Sequence, residues 1–206
     1  MEHSALKMAQ IKKVCVYCGS GSGINPKFAN AANILGKDLA DRGIGLVYGG
    51  GSLGLMGEVA RATLEAGGHV TGIIPEFLSE KEHMLEEVQE LIVTDSMHER
   101  KQYMFAKSDA FVALPGGAGT LDELIEQVTW SQLNQHNKPI IIADIDNYWQ
   151  PLLELLHHMS EETFIRPGLE VNFKVVKEAK DILPTAIEVA STMEVLPGNT
   201  IFPSEL

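Results

Sequence analysis

Ala110-Phe111-Val112-Ala113-Leu114, followed at once by Pro115-Gly116-Gly117-Ala118-Gly119-Thr120-Leu121-Asp122-Glu123, is the stretch on which the fold turns. A short apolar run bounded by turn residues is a buried strand. Three glycines in four positions then make a sharp turn, and a helical pattern sets in near Thr120. Gly116, Gly117 and Gly119 carry no Cβ, so a ligand can come close to the backbone. The helix start adds unbonded N–H groups and the positive end of its dipole. Together these predict a cradle for an anion, most simply a phosphate, with the Glu123 carboxylate one turn further on. The loop lacks the G-K-[ST] ending of a P-loop, which removes an NTPase reading. Thr120 and Glu123 also fit a T-x-x-E capping box, so Glu123 is either a helix cap or a group set beside the anion.

The same strand–turn–helix unit recurs along the chain. Strands are predicted over Lys12–Cys18, Ile44–Tyr48, His69–Ile74, Leu91–Thr94, Ala110–Leu114, Pro139–Ala143 and Phe173–Val176. Helices are predicted over Pro26–Arg42, Leu55–Ala66, Met97–Lys107, Leu121–Gln135, Trp149–Met159 and Ala179–Thr192, the first closed by Gly43 at C′. Unbroken apolar strands such as Ile140-Ile141-Ile142 imply burial on both faces. The fold class that follows is α/β, a single doubly wound domain with a mainly parallel sheet of about seven strands. Residues 1–10 read as a flexible N-terminal tail, 11–193 as the domain and 194–206 as a C-terminal tail. Ligands bind such sheets at the carboxyl ends of the strands, where every glycine loop of this chain falls.

The chain has 206 residues, 45% of them hydrophobic and 21% charged, which is ordinary globular composition. No apolar stretch has a membrane span's length, and Met1–Gln10 holds no signal-peptide core. A net charge of −12 argues against nucleic acid as a partner. It also makes the few cations near glycine loops informative. Cys15 and Cys18 form a lone C-x-x-C without the further ligands that zinc requires, so they are read as buried strand thiols in a reducing, cytoplasmic setting.

Three further segments carry candidate chemistry. Cys18-Gly19-Ser20-Gly21-Ser22-Gly23 follows the first strand and is either a ligand loop or a flexible turn. Gly49, Gly51 and Gly54 satisfy G-x-G-x-x-G, with Glu76 about twenty residues on, which allows a dinucleotide reading or mere close packing of strand and helix. Ser96 and Glu99 form an S-x-x-E box that starts a helix. That box puts Arg100 and Lys101 at the helix end where cations are disfavoured by about 0.3–1 kcal/mol each. They are either solvated charges or cations held there for a function. His98 is not part of H-E-x-x-H, so a metal role is not expected.

Taken together, the motifs resemble the Lonely Guy (LOG) family. Pro115 to Glu123 matches its P-G-G-x-G-T-x-x-E signature, and Met97-His98-Glu99-Arg100-Lys101 resembles its M-H-x-R-K element. Tyr48-Gly49-Gly50-Gly51 with Gly54-Leu55-Met56-Gly57 is similar to its Y-G-G-G-x-x-G-L-M-G. Val16 to Ser20 and Phe164-Ile165-Arg166-Pro167 resemble further family stretches, so that the likeness runs over residues 12–185. The resemblance implies a homodimeric, Rossmann-like hydrolase. It would cleave the N-glycosidic bond of a nucleoside 5′-monophosphate, AMP or an N6-substituted adenine nucleotide, without metal or cofactor. Arg100 and Glu123 take the catalytic positions. Gly19, Ser20, Gly49, Gly50, Gly51, Met97, Lys101, Pro115, Gly116, Gly117, Ala118, Gly119, Thr120, Asp122 and Thr129 take the substrate-binding ones. Family members vary over 79–90, where Glu82 is expected near the substrate and base preference is set. A non-catalytic nucleotide-binding protein and an NAD-type oxidoreductase built on Gly49 to Gly54 are the competing readings.

Overall fold

The computed structural model describes residues 10–79, 83–166 and 168–192. Apart from Gln10, both expected tails lie outside these residues, as do Glu82 and Pro167. Strands β1 (Lys13–Tyr17), β2 (Gly45–Tyr48), β3 (Val70–Pro75), β4 (Glu90–Thr94), β5 (Ala110–Ala113), β6 (Ile140–Ala143) and β7 (Lys174–Val176) form one sheet. Its order is β4-β3-β2-β1-β5-β6-β7, with every neighbouring pair parallel. The connecting helices are α1 (Pro26–Asp41), α2 (Gly54–Glu65), α3 (Glu76–Ser79), α4 (Met97–Ala106), α5 (Ala118–Gln132), α6 (Gln150–Glu161) and α7 (Ile182–Thr192).

Alternate residues of the buried strands feed two apolar layers. Val14, Val16, Leu46, Val112 and Ile141 pack with α1, α2 and α7 on one face. Cys15, Tyr17, Val47, Phe111 and Ile142 pack with α4, α5 and α6 on the other. The sheet is therefore covered on both sides, as its unbroken apolar strands require. Cys15 and Cys18 are buried and unpaired, and they enter opposite layers, so their spacing forms no dithiol. Gly36 lets α1 and α2 touch, since a Cβ there would lie 2.6 Å from the Val59 carbonyl oxygen.

The strand order reverses direction at β1, with β2 to β4 on one side and β5 to β7 on the other. Ligands of open α/β sheets bind at that crevice. Here it lies between the loops after β1 and β5, joined by the Gly19 N–H donating to the Pro115 carbonyl at 3.1 Å.

Several boundaries differ from expectation. Helix α5 begins at Ala118, with Gly117 as its N-cap, rather than near Thr120. It ends at Gln132 because Asn134 turns to φ +56° just beyond, as a C′ residue does. The short α3 and a 3-10 turn at Ile145–Asn147 carry no periodic pattern and were not anticipated. The final helix is preceded by a 3-10 turn, Ala179–Asp181. Among the described residues, no helix is long and apolar enough to cross a membrane. No group of three or more His, Cys, Asp or Glu among them could hold a metal ion.

Candidate active site

The start of α5 is open. Gly117 caps it in extended backbone (φ −89°, ψ −159°) with no side-chain hydrogen bond. Its first-turn amides have no carbonyl one turn back to bond. The loop carbonyls, by contrast, are all engaged. Pro115 accepts from the Gly19 N–H, Gly116 accepts from the Tyr148 hydroxyl at 2.5 Å, and Gly117 accepts from the Leu121 N–H at 3.0 Å. A Cβ on Gly117 or Gly119 would meet nothing within 4 Å, whereas one on Gly116 would strike the buried Thr120 side chain. Of the two readings of T-x-x-E, the capping box is thereby removed. Thr120 lies inside the helix, not at its N-cap, and Glu123 points into the protein.

The second glycine loop is used differently. The Leu55 and Met56 amides at the start of α2 already donate to the Gly19 carbonyl at 3.0 and 3.3 Å. Gly54, at φ +57°, packs directly on the Ser20 backbone. Gly51 bridges Met84, the Ser52 N–H donates to His83, and Leu85 donates to Gly50. The glycines of the dinucleotide fingerprint are thus occupied by the protein's own groups. Gly49 has a further role, because a Cβ there would collide with Arg100 Nη2 and lie 2.8 Å from Met56 Sδ.

Arg100 and Glu123 meet in that space. Arg100 Nη1 is 3.1 Å from Glu123 Oε1, and both side chains are only 8% exposed. Arg100 Nε also donates to the Ile73 carbonyl at 3.1 Å, and Nη1 rests on Met97 Sδ. The first turn of α4 is fixed by Ser96, whose hydroxyl accepts the Glu99 N–H, and by Glu99, which accepts the Asp95 N–H. That geometry turns Arg100 inward, so it is not one of two solvated charges. Taking an ion pair out of water opposes folding unless its bonds are well made, which makes this pair a poor device for stability and a good candidate for chemistry. Its charge reaches the thiols beneath it. Burial first, and then the negative charge of Glu123, push Cys15 and Cys18 well above the ordinary thiol range.

Lys101 lies beside the pair but is committed elsewhere, at 3.2 Å from Asp122 and 3.0 Å from Glu126. Partial burial acts to lower its pKa, but the bonds to Glu126 and Asp122 outweigh it and hold the ammonium charged. Ser20 is exposed on the first loop. Ala118, Asp122 and Thr129 lie along the outer side of α5, lining a groove of about 500 Å³ with Leu121, Ile125 and Trp130. Thr129 is therefore not brought to the Arg100–Glu123 pair. Two contributors had no local signal in the sequence. The Ile73 carbonyl steadies Arg100, and Tyr148, from the segment after β6, reaches the glycine loop.

Residues 56–186 match the family described as "Possible lysine decarboxylase". The chain is 45% identical over 175 residues to the cytokinin riboside 5′-monophosphate phosphoribohydrolase LOG5 of Arabidopsis thaliana, covering 85% of this chain and 77% of that protein. It is 44% identical over 186 residues to the probable cytokinin riboside 5′-monophosphate phosphoribohydrolase LOGL3 of Oryza sativa subsp. japonica, covering 90% and 85%. Among solved structures, the molybdenum cofactor carrier protein of Chlamydomonas reinhardtii superposes with a TM-score of 0.65 at 23% identity, over 87% of this chain and 98% of that one. At that identity the likeness is one of fold.

Proposed function

The chain belongs to the Lonely Guy (LOG) family of cytokinin riboside 5′-monophosphate phosphoribohydrolases, and on that premise we propose the reaction and the roles of its residues. It is a hydrolase acting on an N-glycosyl bond. Water adds to C1′ of a purine nucleoside 5′-monophosphate, the bond to the base breaks, and free base and ribose 5-phosphate leave. AMP and N6-isopentenyladenosine 5′-monophosphate are the substrates to try first.

The observation that carries the assignment of roles is the contrast between two helix starts. The amides at the start of α2 are bonded to Gly19, whereas α5 begins with no side-chain cap and open space over Gly117 and Gly119. A 5′-phosphate at α5 satisfies its first-turn amides and the helix dipole together. The ribose then lies toward Glu123, in the second turn of the same helix. Cleavage passes through an oxocarbenium-like state with positive charge on the sugar. The Glu123 carboxylate stabilises that charge and orients a sugar hydroxyl or the attacking water. Arg100 holds Glu123 in place through their 3.1 Å contact, and its positive charge offsets charge gathering on the departing base. The water that adds its hydroxyl to C1′ supplies the proton that leaves with the base.

A lysine decarboxylase of the pyridoxal type needs a lysine free to form a Schiff base. Lys101, beside the pair, is held charged by two carboxylates. A homodimer is part of the proposal. The exposed Leu121 on α5, which lines the outer groove with Ile125 and Trp130, supports that face as the contact, with Thr129 then turned toward a partner. Two buried, unpaired cysteines suit a reducing compartment such as the cytoplasm.

Incubation with each nucleotide, followed by chromatography for free base, tests the reading. Release is expected from at least one substrate, and its loss in folded Glu123→Gln and Arg100→Ala. Tight binding of both nucleotides without turnover would instead make the protein a nucleotide carrier.

A further inference from the structure

Tyr148 lies far along the chain from the glycine loop, yet its hydroxyl donates to the Gly116 carbonyl at 2.5 Å. Building on the reading that this loop holds a 5′-phosphate, we propose that Tyr148 is a positioning residue that aims the loop at the phosphate. The peptide joining Gly116 to Gly117 is planar and trans, so its carbonyl and its N–H point in opposite directions. Fixing the carbonyl on Tyr148 therefore fixes the Gly117 N–H toward the other side. With glycine on both flanks, no Cβ would resist a flip of this peptide plane. The neighbouring Pro115 carbonyl is held in the same manner by the Gly19 N–H. Without Tyr148, the peptide between them and the helix is free to present its carbonyl oxygen, which repels a phosphate.

The rest of the molecule holds Tyr148 in place. Its ring meets Phe28 edge-on at 5.3 Å and Trp149 at 5.0 Å. The chain enters it through two non-glycine residues in the left-handed region, Asp146 (φ +55°) and Asn147 (φ +61°). Such backbone is uncommon and persists where the surroundings fix it. Asp146 is bonded by Asn25 and Lys27 at the start of α1, and Asn147 by Lys177. The hydroxyl thus sits at the end of a braced arm and reaches the phosphate loop. Tyr148 acts through the loop and does not touch the reacting atoms.

Tyr148→Phe removes the bond and keeps the ring packing. Losing one neutral hydrogen bond predicts a rise in KM for a nucleoside 5′-monophosphate of roughly three- to tenfold, with kcat within about twofold. Inhibition by inorganic phosphate should weaken by the same factor, and the melting temperature should stay within a few degrees of wild type. A merely structural role would lower the melting temperature and leave the phosphate inhibition constant unchanged, and that result overturns the proposal. An unchanged KM in a well-folded variant overturns it equally. Wild-type protein run in parallel separates the two readings. If it releases no base, the hydrolase assignment fails, while phosphate binding to wild type and variant, measured by calorimetry, still decides the role of Tyr148.

Discussion

Gly49→Ala isolates the placement of Arg100 from the stability of the fold. The added Cβ would overlap Arg100 Nη2 and lie 2.8 Å from Met56 Sδ. Both obstacles are ends of flexible side chains, so the backbone need not move. Gly49 is not among the glycines at positive φ, and alanine can adopt its conformation. The guanidinium must withdraw, and it cannot do so while keeping both its 3.1 Å contact with Glu123 and its 3.1 Å bond to the Ile73 carbonyl. Losing one charge-assisted hydrogen bond of about 1.5–3 kcal/mol lowers kcat/KM by roughly ten- to a hundredfold if that contact is made in the transition state. Folding stability should change by only about 1 kcal/mol, because lower unfolded-state entropy offsets part of the loss. The assay is initial-rate base release by chromatography, with a thermal melt of the same preparation. Gly57→Ala is the contrast, since its Cβ would run into the Ser52 backbone carbonyl and should damage folding first. Full activity in Gly49→Ala would show that Arg100 need not occupy this position, and would refute the reasoning.

Two other outcomes follow from the same geometry. Gly119→Ala, in the first turn of α5 with open space around it, should stabilise the ligand-free protein by about 0.5–1 kcal/mol while raising KM, a trade that paired melting and kinetic measurements would reveal. His136, buried against Phe105 and Phe111, is pushed down to about 4 chiefly by burial. Its unfolded form protonates first as pH falls from 7, so stability present above about pH 6.5 declines as pH drops toward 4. The loss between pH 7 and pH 5 amounts to about 2 kcal/mol in urea unfolding, and His136→Gln should flatten that slope.

The fold was legible because its signals are local. Ile140 to Ile142 needs only its own composition to declare a strand covered on both faces, and Gly43, at φ +65°, ends α1 where a C′ glycine is expected. The site was legible only in part. Arg100 stood out as a cation at the wrong end of a helix, but its partner is on another helix and its bond to Ile73 involves a backbone atom, which no side-chain pattern encodes. The T-x-x-E spacing left two roles open for Glu123 because the helix start could lie at Ala118 or near Thr120, and the choice rests on the backbone angles of Gly117. The G-x-G-x-x-G spacing left two readings open for a related reason. A missing Cβ leaves room, but only tertiary structure decides whether a ligand, Arg100 or the Ser20 backbone fills it. Tyr148 could not be found at all, since it reaches the loop through an Asp-Asn turn with backbone angles more typical of glycine.

The central claim is that Glu123 acts on a nucleotide whose phosphate rests at the start of α5. Its most direct test is the stoichiometry of free base and ribose 5-phosphate released from a nucleoside 5′-monophosphate by wild type and by Glu123→Gln, with nucleotide binding measured on both by calorimetry. The account predicts equal amounts of the two products from wild type. For the variant it predicts retained binding and a rate reduced by about a hundredfold or more, in the range seen when an electrostatic stabiliser is removed. Undiminished release by a folded Glu123→Gln protein would contradict it.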